Sequence, residues 1–180
     1  MKRQAEVTRK ALLGSAREIV AEFGAINFTL EAVAARAGVS KGALLHHFPT
    51  KKLLVEGMVR ELVEQFSNAC NDLMSRDPDP KGRAARAYIQ AIAGQSKADY
   101  EHFSAMSAAF VSDMSLLHIW RDGVSKALAI DATETSDPVY TTIARLAADG
   151  MWSSDLYGTY GLDSDQRKRI LERLVAMTRS

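Results

Sequence analysis

Ser40, Lys41, Gly42, Ala43, Leu45, His46, His47, Lys51 and Lys52 fall within thirteen consecutive positions, and their chemistry is that of recognition. Lysines neutralise phosphates, histidines and hydroxyls exchange hydrogen bonds with phosphate oxygens or base edges, and an apolar side chain can meet a thymine methyl. Glycine inside a helix costs about 1 kcal/mol relative to alanine. Gly42 followed by Ala43 is therefore a sensible choice where a helix must be thin enough to sink into a groove. Lys41, Lys51 and Lys52 fall in the first turns of helices, where each cation opposes the dipole by roughly 0.3–1 kcal/mol. A phosphate docked at those turns would reverse the sign.

The elements that must position these residues are two short helices across a tight turn. Thr29 has the character of an N-cap for the first, over about 30–37, with Glu31 suited to the positive end of its dipole. Gly38 punctuates that helix, and Ser40 caps the next, which runs to Phe48, where Pro49 disfavours a further helical turn. This is the pattern of a helix-turn-helix, whose second helix lies in the major groove of duplex DNA. Leu44 and Phe48, four apart, are expected in the core, and His46 should face outward with Gly42. His47 sits on the boundary and could serve either side. Leu45 faces either DNA or the first helix of the chain, predicted over Glu6–Phe23 and ended by Gly24. Thr50 caps a long fourth helix over Lys51–Ser75, with apolar residues at Leu54, Met58, Leu62, Phe66, Ala69 and Leu73.

Gly24, Phe28-Thr29, Val33-Ala34, the run Ala37 to Leu44, His47-Phe48 and Lys51 closely resemble the N-terminal domain of the TetR (tetracycline-repressor-type) transcriptional regulators. The match covers about residues 6–60. It implies that Thr29, Lys41, Gly42, Ala43, His46, His47 and Lys51 approach DNA, and its prior on regulation leans to repression. One departure stands out. The family usually carries a tyrosine, which commonly touches the DNA backbone, where this chain has Leu45.

Charge agrees with a nucleic-acid partner. Residues 1–60 hold ten lysines and arginines against five glutamates, a balance of +5, while the remaining 13 basic and 17 acidic residues give −4. A basic head on an acidic body is an electrostatic footprint of DNA binding. The net charge of +1 conceals it.

Beyond the head, Arg76-Asp77-Pro78-Asp79-Pro80-Lys81-Gly82 reads as a linker, with further helices at about 81–96, 99–112, 115–130, 137–158 and 164–178. No segment alternates like a strand. The expected fold is all-α: an N-terminal three-helix helix-turn-helix domain (1–50), joined through the long fourth helix to a helical regulatory and dimerisation domain (51–180). Proteins that resemble it carry a C-terminal domain that dimerises and binds a small molecule. Val139, Ile143, Leu146, Ala147, Gly150, Met151 and Ser154 form one apolar stripe, and Ile170, Leu171, Leu174, Val175 and Met177 another. Two such helices from each subunit would make a four-helix bundle, unless they pack on their own chain. Tyr88, Tyr100, Phe103, Met106, Phe110, Trp120 and Trp152 could line an apolar or aromatic effector pocket, or simply fill the core.

Enzyme signatures are missing. There is no glycine-rich phosphate loop, no His-Glu-x-x-His, no paired-cysteine metal site and no Gly-x-Ser-x-Gly elbow. No cofactor or metal is expected. The single cysteine, Cys70, fits a reducing cytoplasm, and no apolar run is long enough to span a bilayer. The expected protein is a cytoplasmic homodimer that binds an inverted-repeat operator and is released by a small effector. A DNA-binding dimer without an effector is the alternative, with an all-α enzyme a distant third.

Overall fold

Leu12, Leu13, Ala16, Ile19 and Val20 repeat at helical spacing, and all five are buried on the inner face of α1 (Lys2–Phe23). The structure, a computed structural model, describes residues 2–24, 27–135 and 137–179, without the side chains of Lys2, Lys97 and Ala98. Along the chain follow α2 (Leu30–Arg36), α3 (Lys41–His47), α4 (Lys51–Arg76), α5 (Arg83–Ala93) and α6 (Lys97–Ser112). A short 3₁₀ turn, Met114–Leu116, leads into α7 (Leu117–Glu134), α8 (Pro138–Tyr157) and α9 (Ser164–Met177). No strand occurs among the described residues, so the all-α expectation holds. No helix among them is long and apolar enough to cross a membrane.

The chain divides into two compact units, one of residues 1–64 with 97–120, the other of 65–96 with 121–180. In the first, α1 packs against α2 and α6, and α2 against α3. Apolar faces supply the reason: Val33 and Ala34 of α2, Leu44 of α3 and Met58 of α4 are almost wholly buried. In the second, α5 packs against α8 and α9, around Ile89, Ile92, Ala144, Ala148, Met151 and Leu174.

The proline-rich segment before α5 is a structured turn. The Arg86 side chain is fully buried, and the turn wraps its guanidinium. Arg86 Nε donates to the Asp77 carboxylate at 2.7 Å, and the two Nη atoms donate to the Lys81 and Asp79 carbonyls at 2.5 Å each. A further hydrogen bond at 3.4 Å reaches the Thr178 hydroxyl just beyond α9. This ring of acceptors lets a charged group lie in the interior without an unpaired donor, the condition for burying it at tolerable cost.

Candidate nucleic-acid interface

The turn between α2 and α3 is built as the sequence requires. Thr29 Oγ1 accepts from Ala32 N at 3.1 Å, and Ser40 Oγ accepts from Ala43 N at 3.1 Å, so both helices begin on a side-chain cap. Between them α2 closes in a Schellman turn, with Val39 N donating to Ala34 O at 3.0 Å and Gly38 N to Ala35 O at 3.1 Å. That geometry puts Gly38 at φ +68°, which glycine adopts without strain.

On α3 the predicted division of faces is present. Leu44 and Phe48 are buried, anchoring the helix, while Lys41, Gly42, Leu45 and His46 are exposed and Ala43 and His47 are half-buried. The His46 and His47 rings meet edge to face with centroids 5.6 Å apart. A Cβ built on Gly42 would meet nothing nearer than Ser40 Oγ at 3.9 Å. Nothing inside the protein therefore demands glycine at this exposed helical position, which leaves its helix cost of about 1 kcal/mol without an internal reason.

The lysines carry partners that the sequence did not reveal. Lys41 Nζ lies 2.5 Å from Glu31 Oε1, and Glu31 is held below its usual carboxylate range, first by that hydrogen bond. Lys52 Nζ lies 3.1 Å from Asp113 Oδ2 and 3.4 Å from the Ser115 hydroxyl. Asp113 is pulled down to about 2 by hydrogen bonding from Ser115 and then Lys52. Lys51 Nζ donates to the Phe28 carbonyl at 2.8 Å and sits 4.2 Å from the centre of the Phe28 ring. A carbonyl and an aromatic face thus stabilise a cation that the helix dipole alone would disfavour. Only Lys51 of the three is half-buried; Lys41 and Lys52 are exposed on a common unit with α3.

The aromatic and methionine residues named from sequence fall into two groups. Tyr100, Phe103, Met106, Phe110 and Trp120 belong to the first unit, with Phe103 and Met106 buried and the others half-buried. Tyr88 and Trp152 belong to the second, where Trp152 packs on the core that contains Tyr88. The apolar stripes also divide. Val139, Ile143, Leu146 and Gly150 of α8 are exposed, whereas Met151, Ser154 and Leu174 are buried in their own chain, and the rest of the α9 stripe packs partly against the same core. No cluster of three or more metal-ligating side chains occurs among the described residues.

Comparison with known proteins agrees with this arrangement. The profile of bacterial regulatory proteins of the tetR family matches residues 12–58, and that of the tetracyclin repressor-like C-terminal domain matches residues 82–179. Among curated proteins, the transcriptional regulator BetI of Escherichia coli O127:H6 is 34% identical over 88 residues, which are 49% of this chain and 44% of BetI. BetI of Klebsiella pneumoniae strain 342 is 32% identical over the same shares. The chain thus spans less than half the length of these relatives. Among solved structures, a transcriptional regulator from Rhodococcus sp. Rha1 shares the fold at a TM-score of 0.75 and 22% identity, covering 94% of this chain and 95% of that one. The multidrug binding protein EbrR, complexed with malachite green, does so at 0.72 and 21%, covering 94% and 96%.

Proposed function

Because the chain belongs to the TetR family of bacterial regulatory proteins, we propose that it is a homodimeric, effector-responsive transcriptional repressor that binds an inverted-repeat operator in duplex DNA. Residues 1–50 form its DNA-binding domain and 51–180 its regulatory and dimerisation domain, and it works in the cytoplasm. The observation that carries this reading is α3: two buried anchors, Leu44 and Phe48, beneath an exposed face of Lys41, Gly42, Leu45 and His46. Gly42 has no neighbour that forbids a side chain, so its thinness serves something outside the protein.

Lys41, Lys52 and Lys51 supply the phosphate contacts, with Thr29, Ser40, Ala43 and His47 lining the approach. The Lys41–Glu31 pair joins two exposed side chains and the Lys52–Asp113 pair an exposed lysine to a half-buried aspartate, and surface pairs of this kind are worth about 0–1 kcal/mol. A phosphate that releases counterions can therefore take either lysine at small cost. Leu45 replaces a backbone contact with an apolar one, which fits a thymine methyl in the major groove.

Dimerisation is assigned to the exposed apolar face of α8, Val139, Ile143, Leu146 and Gly150. EbrR, which shares the fold, is a multidrug binding protein complexed with malachite green, and this supports reading the chain as effector-responsive. The candidate effector-site residues are Tyr100, Phe103, Met106, Phe110 and Trp120 within the first unit, or Tyr88 and Trp152 within the second. An effector that favours a dimer with separated α3 helices would weaken operator binding by roughly 5–150-fold, the usual span of allosteric coupling.

Anisotropy titration of a mixed-sequence duplex across a series of salt concentrations tests the DNA-binding claim. The logarithm of affinity should fall linearly with that of salt, and Lys41→Ala and Lys52→Ala should each reduce the slope by about one unit per half-site. Binding that ignores salt, or slopes unchanged in both variants, would overturn the assignment.

A further inference from the structure

In the second unit the apolar seam between α5 and α8 contains charged groups that no DNA-binding role requires. Arg145, Asp149 and Trp152 stand at helical spacing on one side of α8, and Tyr88 comes from α5. Arg145 is neutralised locally: its Nε and Nη2 donate to the two Asp131 oxygens at 2.6 and 2.9 Å, with both residues buried. Its guanidinium also lies 4.8 Å from the centre of the Tyr88 ring.

Asp149 is different. It accepts a hydrogen bond from the Tyr88 hydroxyl and makes no ion pair among the described residues. Burial pushes its carboxyl above the ordinary range, against the lowering effect of the Tyr88 hydrogen bond and of Arg145 at longer range. The pair Arg145–Asp131 is thus closed on itself, while Asp149 is held by the Tyr88 hydroxyl and has no ion-pair partner of its own among the described residues. Such a charge is costly among apolar groups unless something pairs with it. The Tyr88 that holds Asp149 sits among aromatic side chains. Phe66 meets the Tyr88 ring edge to face at 5.3 Å, and Phe66, Cys70 and Trp152 pack on the core that Tyr88 belongs to. Phe66, Asp149 and Trp152 are half-buried, so this edge of the core keeps access to solvent.

We propose that Asp149, with Phe66, Tyr88 and Trp152, forms a recognition site for the cationic group of an aromatic or amphipathic effector. This inference rests on the reading of the chain as an effector-responsive regulator. The carboxylate supplies the counter-charge, the Phe66 and Trp152 rings supply apolar surface and cation–π attraction, and the Tyr88 hydroxyl fixes the carboxylate in place. A neutral aromatic compound would bury the same surface but leave Asp149 unpaired. The site therefore selects on charge as well as on shape.

Tetraphenylphosphonium and tetraphenylborate have nearly the same shape and opposite charge, which makes them direct probes. Isothermal titration with the full-length protein should show tetraphenylphosphonium binding at least tenfold more tightly than tetraphenylborate. Asp149→Asn, whose amide oxygen still accepts from Tyr88, should lose that preference by about tenfold while keeping the wild-type circular dichroism and duplex affinity. A variant elsewhere on the surface of the same helix, Asp155→Asn, should keep the preference. Equal binding of the two probes, no cation binding, or an unchanged preference in Asp149→Asn overturns the proposal. A panel of uncharged aromatic compounds separates the two levels. If some of them bind and weaken duplex binding while the cation does not, the charge-selective site is wrong and the effector-responsive reading stands. If no compound of any charge binds, both fail.

Discussion

Leu146→Asp should convert the protein to a monomer without unfolding it. Leu146 is 64% exposed in the single chain, flanked along α8 by Val139 at 58% and Ile143 at 44%. Full burial of a leucine side chain is worth about 1.5–3 kcal/mol, so covering what remains of Leu146 is worth roughly 1–2 kcal/mol. A two-fold interface uses each position twice, giving roughly 2–4 kcal/mol per dimer from this residue alone. Losing it raises the dimer dissociation constant roughly 30- to 1,000-fold, before counting the desolvation of two aspartates brought near one another. Sedimentation velocity over a dilution series reads the change, and circular dichroism confirms the helices. Leu174→Asp is the contrast. Leu174 is buried in the core of its own chain, so that substitution should lower the unfolding midpoint instead. A Leu146→Asp protein that dimerises with the wild-type constant would remove α8 from the interface.

Gly82 sits at φ +64°, and a Cβ there would lie 2.0 Å from the Thr178 carbonyl oxygen, so Gly82→Ala should cost well over ~2 kcal/mol; an unchanged denaturant midpoint would contradict this. Burial pushes the Cys70 thiol up to about 11, so alkylation at pH 8 should run roughly two orders of magnitude slower than for a free thiol. Reaction at the free-thiol rate would show that Cys70 is not enclosed. Asp113, pulled down to about 2, contributes stability that is fully present above the ordinary aspartate range. That contribution is lost as pH falls through about 2, so Asp113→Asn should flatten the stability profile between about pH 4 and 2. A profile as steep as that of the wild type would remove Asp113 from the acid response.

Much of the first unit could be read from residue order because its determinants are local. The caps Thr29 and Ser40 lie three residues from the N–H groups they accept from, and Leu44 and Phe48 share one face by simple helical spacing. Helix positions followed the apolar period closely, with small differences at ends. The start of α1 reaches Lys2, and the segment expected from 115 opens as a 3₁₀ turn and continues to Glu134. What the sequence concealed depends on pairs far apart in the chain. Lys52 and Asp113 are 61 positions apart, and Arg86 and Thr178 are 92 apart. No periodicity marks such partners. The segment Arg76–Gly82 looked like a spacer because prolines and charge dominate it, yet its carbonyls close around a buried arginine. The α9 stripe, expected at an interface, lies partly in the core of its own chain. Apolar spacing shows that a face is covered but not by which chain, and here Leu174 is covered by its own.

Selection of bound sequences from random duplex DNA tests the central claim most directly. A two-fold dimer presenting α3 to successive major grooves should enrich an inverted repeat with half-sites about 34–36 Å apart, centre to centre. Replacing Leu45 with tyrosine should relax the preference at one base pair of each half-site, where a thymine methyl is read. Enrichment of no sequence, or of sequences lacking any dyad, would contradict the account.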